Sequence, residues 1–268
     1  MQRPPSPAPR PLVFHDQLSN RIELHKPPQR IISLVPSQTE LLYDLGLRDE
    51  VVGITRFCIH PAEWFHTKAK VGGTKQFNFD AIHALQPDLI IGNKEENYRE
   101  GIEELQKHYP VWLSDIFNLQ DALDMMLQIG AITDKSASAE NLAASIAAKF
   151  KALPQLNAPL RVAYFIWRKP YMVAAANTFI DAMLRTIGFV NCFHHAARYP
   201  EISLQQLQQQ KPDVIFLSSE PYAFRQHHFT EFQQACPDAK VMLVDGEMFS
   251  WYGSRLLQSP DYFKDLSV

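Results

Sequence analysis

Short apolar runs alternate along the first part of the chain with stretches in which apolar residues recur at helical spacing. The apolar runs are IISLV, VVGIT, DLIIG and VWLS, and the helical stretches between them include TELLYDLGL, FDAIHAL and YREGIEELQKH. Apolar runs bounded by turn residues are typical of buried strands, and strands that alternate with helices form parallel sheets. The pattern therefore predicts an α/β lobe.

After Ser114 the strand signals stop, and two helical segments follow, NLQDALDMMLQIGAIT and SASAENLAASIAAKFKAL. The second segment is rich in alanine, which favours helix. Its apolar stripe consists of Leu142, Ile146, Phe150 and Leu153. A helix of about 18 residues with a rise of about 1.5 Å per residue is roughly 27 Å long, enough to span a small domain. We predict a single long helix here.

A repeated phrase divides the chain into two halves. IHALQPDLIIG at Ile82–Gly92 matches LQQQKPDVIFL at Leu207–Leu217, and RIISL near the start of the first half matches RVAYF in the second. In both phrases a helix ends before a Pro-Asp turn that starts a buried strand. This sequence is common in α/β proteins, but two copies in matching order on either side of a helical segment favour two similar lobes.

The predicted fold class is α/β, with two parallel-sheet lobes joined by a single long backbone helix and a ligand cleft between the lobes. The predicted parts are an N-terminal arm and lead-in (1–29), an N-terminal lobe (30–115), a helical linker with the backbone helix (116–158) and a C-terminal lobe (159–268).

Composition and charge narrow the partners. The 268 residues carry a formal net charge of -3, which gives no electrostatic footprint for nucleic acid. No apolar stretch is long enough to span a membrane. The three cysteines are too few for a disulfide framework, and the proline-rich start lacks the apolar core of a signal peptide. We expect a cytoplasmic protein as the sequence stands, or a periplasmic or other extracytoplasmic one if a leader was removed.

The loops at the carboxyl ends of the predicted strands are the expected ligand site, because parallel α/β sheets bind ligands there. These loops are rich in aromatic and charged residues, which suits a large, partly apolar ligand with polar edges. At the first of them, Ser37 and Glu40 have the spacing of a capping box. The helix that starts there would offer free N–H groups to a ligand.

The chain contains, in this order, RIISLVPSQTELLYDLGL, VGGTKQFNFDAIHALQPDLIIG, a long helix, KPDVIFLSSEPY and VDGEMFSWYGSRLL. This order resembles that of the class III periplasmic binding proteins, also called helical-backbone metal receptors. Within these it is most similar to the cobalamin-binding branch. The resemblance implies two α/β lobes held by a backbone helix with little hinge motion. It also implies binding of corrinoids, siderophores or haem without catalysis, and no built-in cofactor.

The loops and the resemblance together indicate the site residues. Cobalamin binders of this family line the site with aromatic residues, and the matching positions here hold Phe57, Thr74 and Asn93. The candidate ligand-binding residues are Pro36, Ser37, Gln38, Phe57, Thr74, Lys94, Trp167, Tyr171, Glu220, Tyr222, Phe249, Trp251, Tyr252 and Arg255. We expect Arg255 to pair with an acidic group of the ligand.

The family docks to a membrane permease through one acidic residue on each lobe. Asp80 takes this place on the first lobe, but Gln205 stands in the matching position on the second. A permease of an ABC transporter is therefore a doubtful partner, and the small-molecule ligand is the main one expected.

Two other functions remain open. Carboxylates at the predicted site loops, namely Glu95, Glu96, Glu220 and Glu247, could serve an enzyme, although the chain has no motif of a known catalytic class. A cytoplasmic corrinoid sensor or storage protein is the other alternative. Cys58, His60 and Glu63 match no strong zinc spacing, so we predict no metal site.

Overall fold

The computed structural model describes residues 11–154, 156 and 158–266, so residues 1–10 of the predicted N-terminal arm lie outside the described part. The chain divides into two compact units. Unit 1 comprises the chain up to Asp115 together with Asp124–Asn141, and unit 2 comprises Ile116–Leu123 and the chain from Leu142 onward. This confirms the expected two-lobed α/β fold.

Unit 1 begins with a β-hairpin and continues with alternating strands and helices. Its strands are β1 (Leu12–His15), β2 (Arg21–Leu24), β3 (Ile31–Ser33), β4 (Val51–Ile54), β5 (Ala69–Lys70), β6 (Gly72–Gly73), β7 (Gln76–Phe77), β8 (Leu89–Asn93) and β9 (Val111–Ser114). Its helices are α1 (Pro36–Asp44), α2 (Ala62–Thr67), α3 (Phe79–Leu85) and α4 (Arg99–Gln106).

The central sheet of unit 1 is parallel, as the apolar runs predict. Its strand order is β5-β4-β3-β8-β9, with β6 and β7 forming a separate small hairpin. One side of this sheet packs on a core that includes Ile32, Ile82, Ile90 and Leu105. The carboxyl ends of β3, β4 and β8 therefore place the loops that follow them at one end of the sheet.

The hairpin β1–β2 lies within the predicted N-terminal arm and lead-in (1–29), for which the sequence analysis predicts no strands. Its turn lies against β9: the Gln17 N–H donates to the Leu113 carbonyl at 3.1 Å, and the Leu113 N–H donates to Asp16 Oδ2 at 3.2 Å. Asp16 also accepts from the Leu18 and Asn20 N–H groups at 2.9 and 2.8 Å. One buried carboxylate thus both shapes the turn and bonds the sheet.

Two helices cross between the units. They are α5 (Leu119–Ile132) and α6 (Ser136–Lys151), and each contains residues of both units. Helix α6 is the predicted backbone helix and ends two residues before the predicted end at Leu153. Ile146 and Phe150 of its predicted stripe are buried, which confirms the helical reading of the alanine-rich segment.

Unit 2 repeats the α/β alternation. Its strands are β10 (Arg161–Trp167), β11 (Tyr171–Val173), β12 (Val190–Asn191), β13 (Glu201–Ile202), β14 (Val214–Ser218) and β15 (Lys240–Val244). Its remaining helices are α7 (Phe179–Ile187), α8 (Leu204–Gln210), α9 (Phe229–Ala235), α10 (Gly246–Ser250) and α11 (Ser259–Lys264), with 3-10 turns at Gln226–His228 and Ser254–Leu257.

The sheet of unit 2 is mixed rather than wholly parallel. Its order is β13-β11-β10-β14-β15, with β12 also paired to β10, and β11 runs antiparallel to both β10 and β13. Strands β10 and β11 are joined by a tight turn at residues 168–170, and parallel neighbours require a much longer crossover. The parallel strands β10, β14 and β15 keep the expected direction.

The repeated Pro-Asp phrase builds the same junction in both units. The residue before each proline, Gln86 or Lys211, ends its helix in the left-handed conformation, with φ of 46° and 48°. The aspartate that follows then accepts an N–H at the start of the unit's first sheet strand. Asp88 Oδ1 accepts from the Arg30 N–H at 2.8 Å, and Asp213 Oδ2 accepts from the Arg161 N–H at 2.7 Å.

Candidate functional site

The start of helix α1 differs from the predicted capping box. Val35 is the N-cap, and Pro36 occupies the first helical turn, where its missing N–H and fixed φ suit it. Ser37 therefore lies inside the helix and cannot cap it. Ser37 Oγ and Gln38 Oε1 are buried without a hydrogen-bond partner within the described chain. The first N–H groups of a helix also lack intrahelical acceptors, so this helix start retains unused polar groups.

A buried polar network lies behind this helix start. Gln38 Nε2 donates to Ser114 Oγ at 2.7 Å, and Asn93 Nδ2 donates to the same atom at 2.9 Å. Asn93 Oδ1 accepts from the Glu95 and Glu96 N–H groups at 2.8 and 3.0 Å. Asn93 stands where the resemblance implies an aromatic ligand contact, but its side chain shapes the loop after β8.

Phe57 is the exposed aromatic residue that unit 1 presents after β4. Its side chain is 49% exposed, and the Arg56 guanidinium lies over the ring at 5.2 Å from the centroid. Two other candidates on this unit are partly committed to internal contacts. The Thr74 carbonyl accepts from Asn97 Nδ2 at 3.2 Å, and Lys94 Nζ pairs with Asp115 at 2.6 Å.

In unit 2 the structure brings together two of the predicted aromatic residues. Trp167 ends β10 and Tyr222 follows β14, the adjacent strand, and their rings meet edge to face with centroids 5.7 Å apart. Trp167 remains 39% exposed. Tyr222 also meets Phe224, with ring centroids 4.8 Å apart, and is partly buried, so Trp167 is the exposed ring of the pair.

Arg168, the residue after Trp167, forms an ion pair with Glu231. Arg168 donates to both carboxylate oxygens of Glu231, at 2.8 and 3.0 Å, and these bonds raise the pKa of Arg168. Burial alone would raise the pKa of Glu231, but the hydrogen bonds from Arg168 and Tyr171 and the nearby positive charge lower it overall. Tyr171 itself packs on Phe232, 5.6 Å between ring centroids, so it belongs mainly to the core.

The hydroxyl of Tyr222 lies 3.3 Å from His228 Nε2. His228 Nδ1 accepts from the Arg225 N–H at 2.9 Å, which leaves Nε2 to carry the proton of a neutral ring. Burial, together with the nearby His227 and Arg168, lowers the pKa of His228. The imidazole is therefore neutral near pH 7 and donates to the Tyr222 oxygen.

The predicted site residue Phe249 belongs to the core. Its ring is fully buried, with Phe263 at 4.8 Å and Tyr164 at 5.2 Å between centroids. Tyr252 is also buried, edge to face with Phe179 at 5.9 Å. The aromatic content of the loop after β15 did not distinguish core rings from exposed ones, and we assign both rings to packing.

Arg255 and Trp251 form one internal cluster. Arg255 Nη1 pairs with Glu247 at 2.7 Å, and its guanidinium lies 4.9 Å from the Trp251 ring centroid. Trp251 is only 6% exposed. An acidic ligand group that reached Arg255 would therefore compete with Glu247, which differs from the simple pairing expected.

Glu220 joins this cluster to the loop after β14. Its Oε1 accepts from Ser250 Oγ at 2.7 Å and from Trp251 Nε1 at 2.9 Å. Gly246 allows this approach, because a Cβ there would lie 2.4 Å from Ser218 Oγ and 2.7 Å from Glu220 Cγ. Sequence reasoning missed Ser250 and Gly246, although a glycine close to a strand end can mark a close backbone approach.

The two predicted docking residues occupy equivalent positions. Asp80 and Gln205 are the second residues of α3 and α8, both seven residues long, and both are exposed. Each helix starts with a side-chain cap, from Asn78 or Ser203. The internal repeat therefore supports matching Gln205 to Asp80.

The cysteines lie in the interior of the two units. All three cysteines are free and buried, and Cys58 Sγ lies 3.1 Å from the hydroxyls of Thr39 and Thr55. Across the described residues, histidine, cysteine and carboxylate side chains do not gather in a group of three that could hold a metal ion. Searched over the same residues, the chain has no helix with the length and apolar character needed to cross a membrane.

Two α/β units connected by crossing helices, with aromatic residues at strand ends, define the architecture of a solute-binding protein. A sequence model of the family described as "Periplasmic binding protein" matches residues 31–239. The chain belongs to this family.

Several known proteins are similar to the chain. The vitamin B12-binding protein of Vibrio campbellii is 29% identical over 213 residues, which cover 78% of this chain and 76% of the relative. The crystal structure of the periplasmic vitamin B12 binding protein BtuF of Vibrio cholerae has a TM-score of 0.74 at 24% identity and covers 89% of this chain and 97% of its own. The haem binding protein HutB of Vibrio cholerae has a TM-score of 0.76 at 21% identity, with 89% and 98% covered.

Proposed function

We propose that this protein binds cobalamin or a related corrinoid and does not transform it. The observation that carries the proposal is the Trp167–Tyr222 pair, which follows two adjacent parallel strands and in which Trp167 is exposed and Tyr222 is partly buried. Phe57 offers a second exposed ring at a strand end of unit 1. Several similar proteins are vitamin B12-binding proteins, which favours a corrinoid over the haem and siderophore ligands of other similar proteins.

The energetics of such a contact are adequate for a specific ligand. Covering a tetrapyrrole face with two aromatic rings removes about 150 Å² of apolar surface from water, worth on the order of 4 kcal/mol at about 25 cal/mol per Å². Association costs offset part of this gain. Polar contacts must therefore supply the rest of the affinity.

The contacts of Glu247 and Glu220, two carboxylates that an enzyme could use, also agree with a binding role. Glu247 is paired with Arg255, and Glu220 accepts hydrogen bonds from Ser250 and Trp251. Each of these carboxylates is thus held in an internal contact, whereas a general base needs its lone pairs directed at a substrate proton.

The test is calorimetric titration of the purified protein with cobalamin, haem and a ferric siderophore, with tryptophan fluorescence as a second readout. We expect saturable cobalamin binding and quenching. Trp167→Ala should weaken binding by about 1 to 3 kcal/mol, roughly 5- to 150-fold, with little change in melting temperature because the ring is partly exposed.

Leu243→Ala is the matched control, since Leu243 is similarly exposed on β15, and this variant should bind like the wild type. The corrinoid proposal fails if cobalamin gives neither heat nor quenching at high protein concentration. Binding of haem or a siderophore in its place would reassign the ligand.

A further inference from the structure

The contacts of the Glu220 side chain connect the segments that follow two neighbouring strands of unit 2. Strands β14 and β15 are parallel neighbours, and residues 219–224 and 245–255 follow them. A single oxygen, Glu220 Oε1, accepts from Ser250 Oγ at 2.7 Å and Trp251 Nε1 at 2.9 Å in the second segment. Charge-assisted bonds of this kind are stronger than neutral ones.

Further bonds hold both segments around this carboxylate. The Gly246 N–H donates to Ser219 Oγ at 2.9 Å, and Ser218 Oγ donates to the Glu220 carbonyl at 2.6 Å. Tyr222, two residues after Glu220, carries the ring that meets Trp167. The Glu220 side chain therefore bonds Trp251, and the same short segment carries Tyr222, whose ring meets Trp167.

We propose that Glu220 is a positioning residue of the ligand site, fixing the Trp251 indole and the segment that carries Tyr222 without contacting the ligand. This inference rests on the proposed corrinoid function for its effect on affinity. Its effect on Trp251 is a property of the ligand-free protein.

The surroundings make this coupling sensitive to proton binding. Burial raises the pKa of Glu220; the bonds from Ser250 and Trp251 oppose this shift, and the carboxylates of Glu247 and Asp245 add to it. Other groups around it are Arg255, which is paired with Glu247, and the Tyr164 hydroxyl, which bonds Ser218. As the pH falls, Glu220 gains a proton before an ordinary glutamate does and loses its charge-assisted bonds.

The experiment compares wild type, Glu220→Gln and Trp251→Phe. The first variant keeps the shape without the charge, and the second keeps the ring without the donor. Glu201→Gln, an exposed acid on β13 of the same unit, is the control. The first readout is the indole N–H resonance of Trp251 in the ligand-free protein, identified by its absence from Trp251→Phe. We expect it to titrate in wild type and Glu201→Gln, and to shift and stop titrating in Glu220→Gln.

The second readout is cobalamin affinity against pH. Each of the two site variants should bind about 5-fold more weakly near neutral pH, as expected when a charged hydrogen bond becomes a neutral one or is lost. The double variant should be no weaker than either single variant. As the pH is lowered, the affinity of the wild type for cobalamin should fall by a similar factor. The affinity of Glu220→Gln should change much less over the same pH range.

The two proposals fail in different ways. If wild type binds no corrinoid but the indole resonance behaves as described, the function is wrong and the positioning role stands. If the resonance does not respond to Glu220→Gln or to pH, or if affinity losses add in the double variant, the positioning role is wrong even when cobalamin binds.

Discussion

Two glutamates in unit 2 show how the same side chain takes opposite pKa shifts. Glu231 receives two hydrogen bonds from a guanidinium, and its pKa is lowered although burial works against this. Glu220 accepts from an indole and a hydroxyl, which carry no charge, and burial raises its pKa. Deeper burial and the neighbouring carboxylates of Glu247 and Asp245 raise the pKa of Glu220, whereas the Arg168 guanidinium lowers that of Glu231.

The lowered pKa of Glu231 gives a prediction for stability. A carboxyl with a folded pKa below its unfolded value, about 4.3, stabilises the fold above that value and loses this contribution as the pH falls through the folded pKa. Glu231→Gln should therefore lower the free energy of unfolding by about 1 kcal/mol at neutral pH, and the difference should shrink as the pH falls below the ordinary glutamate value of about 4.3. Urea denaturation of both proteins across this range checks it.

The exposed pair Arg99–Glu103 provides the control for this measurement. Glu103→Gln should change stability much less, because solvent screens an exposed pair. A constant difference between wild type and Glu231→Gln at all pH values would show that lost packing, not charge, causes the effect.

At the scale of the elements, the Pro-Asp junction is a local structure that occurs once in each of the two units. In each copy an arginine at the start of the strand also bonds the last helical carbonyl, with Arg30 Nε donating to the Leu85 carbonyl and Arg161 Nη2 to the Gln210 carbonyl, both at 2.7 Å. The junction thus links a helix end to the start of the first sheet strand of its unit.

We predict that Asp88→Ala and Asp213→Ala each lower the free energy of unfolding by about 1 to 2 kcal/mol, because backbone N–H groups lose a charged acceptor. Chemical denaturation measures this. The chain offers a third Pro-Asp pair at Pro237–Asp238, where Asp238 is exposed, and Asp238→Ala should have little effect. Equal losses in all three variants would contradict a specific role of the junction.

The elements were largely predictable from sequence because their signals are local. Apolar runs, helical spacing and the repeated phrase gave the strands β3, β4, β8, β14 and β15 and the long helix α6. The site was less predictable because it depends on which ring of several is covered. Trp167 and Trp251 look alike in sequence, yet one is exposed and the other is bonded to Glu220. That difference arises from packing between loops distant in sequence.

At the scale of the whole molecule, the internal repeat leads to a prediction about docking to a transporter. The exposed second position of α3 holds Asp80, whereas the equivalent position of α8 holds Gln205. If the family's docking through paired acidic residues applies, this protein lacks one charge. We predict that the purified protein does not stimulate the ATPase of a vitamin B12 importer in vesicles.

Gln205→Glu is the matched variant for this experiment. A negative charge near a helix N-terminus is favourable, so the variant should fold normally and gain measurable stimulation. Clear stimulation by the unaltered protein would show that the amide at Gln205 is compatible with docking.

The hairpin that lies against β9 has a consequence for where this protein can be shortened. The region matched by the family begins at residue 31, so trimming to it removes β1, β2 and the turn between them. The N–H and carbonyl of Leu113 would then lose their partners, and β9 would become an open edge strand, which can pair with the same edge of another copy. We expect the trimmed protein to elute as dimers and larger species in size-exclusion chromatography. A chain that begins at residue 11 is the control and should elute as a monomer. If both proteins elute as monomers, the hairpin does not protect this edge.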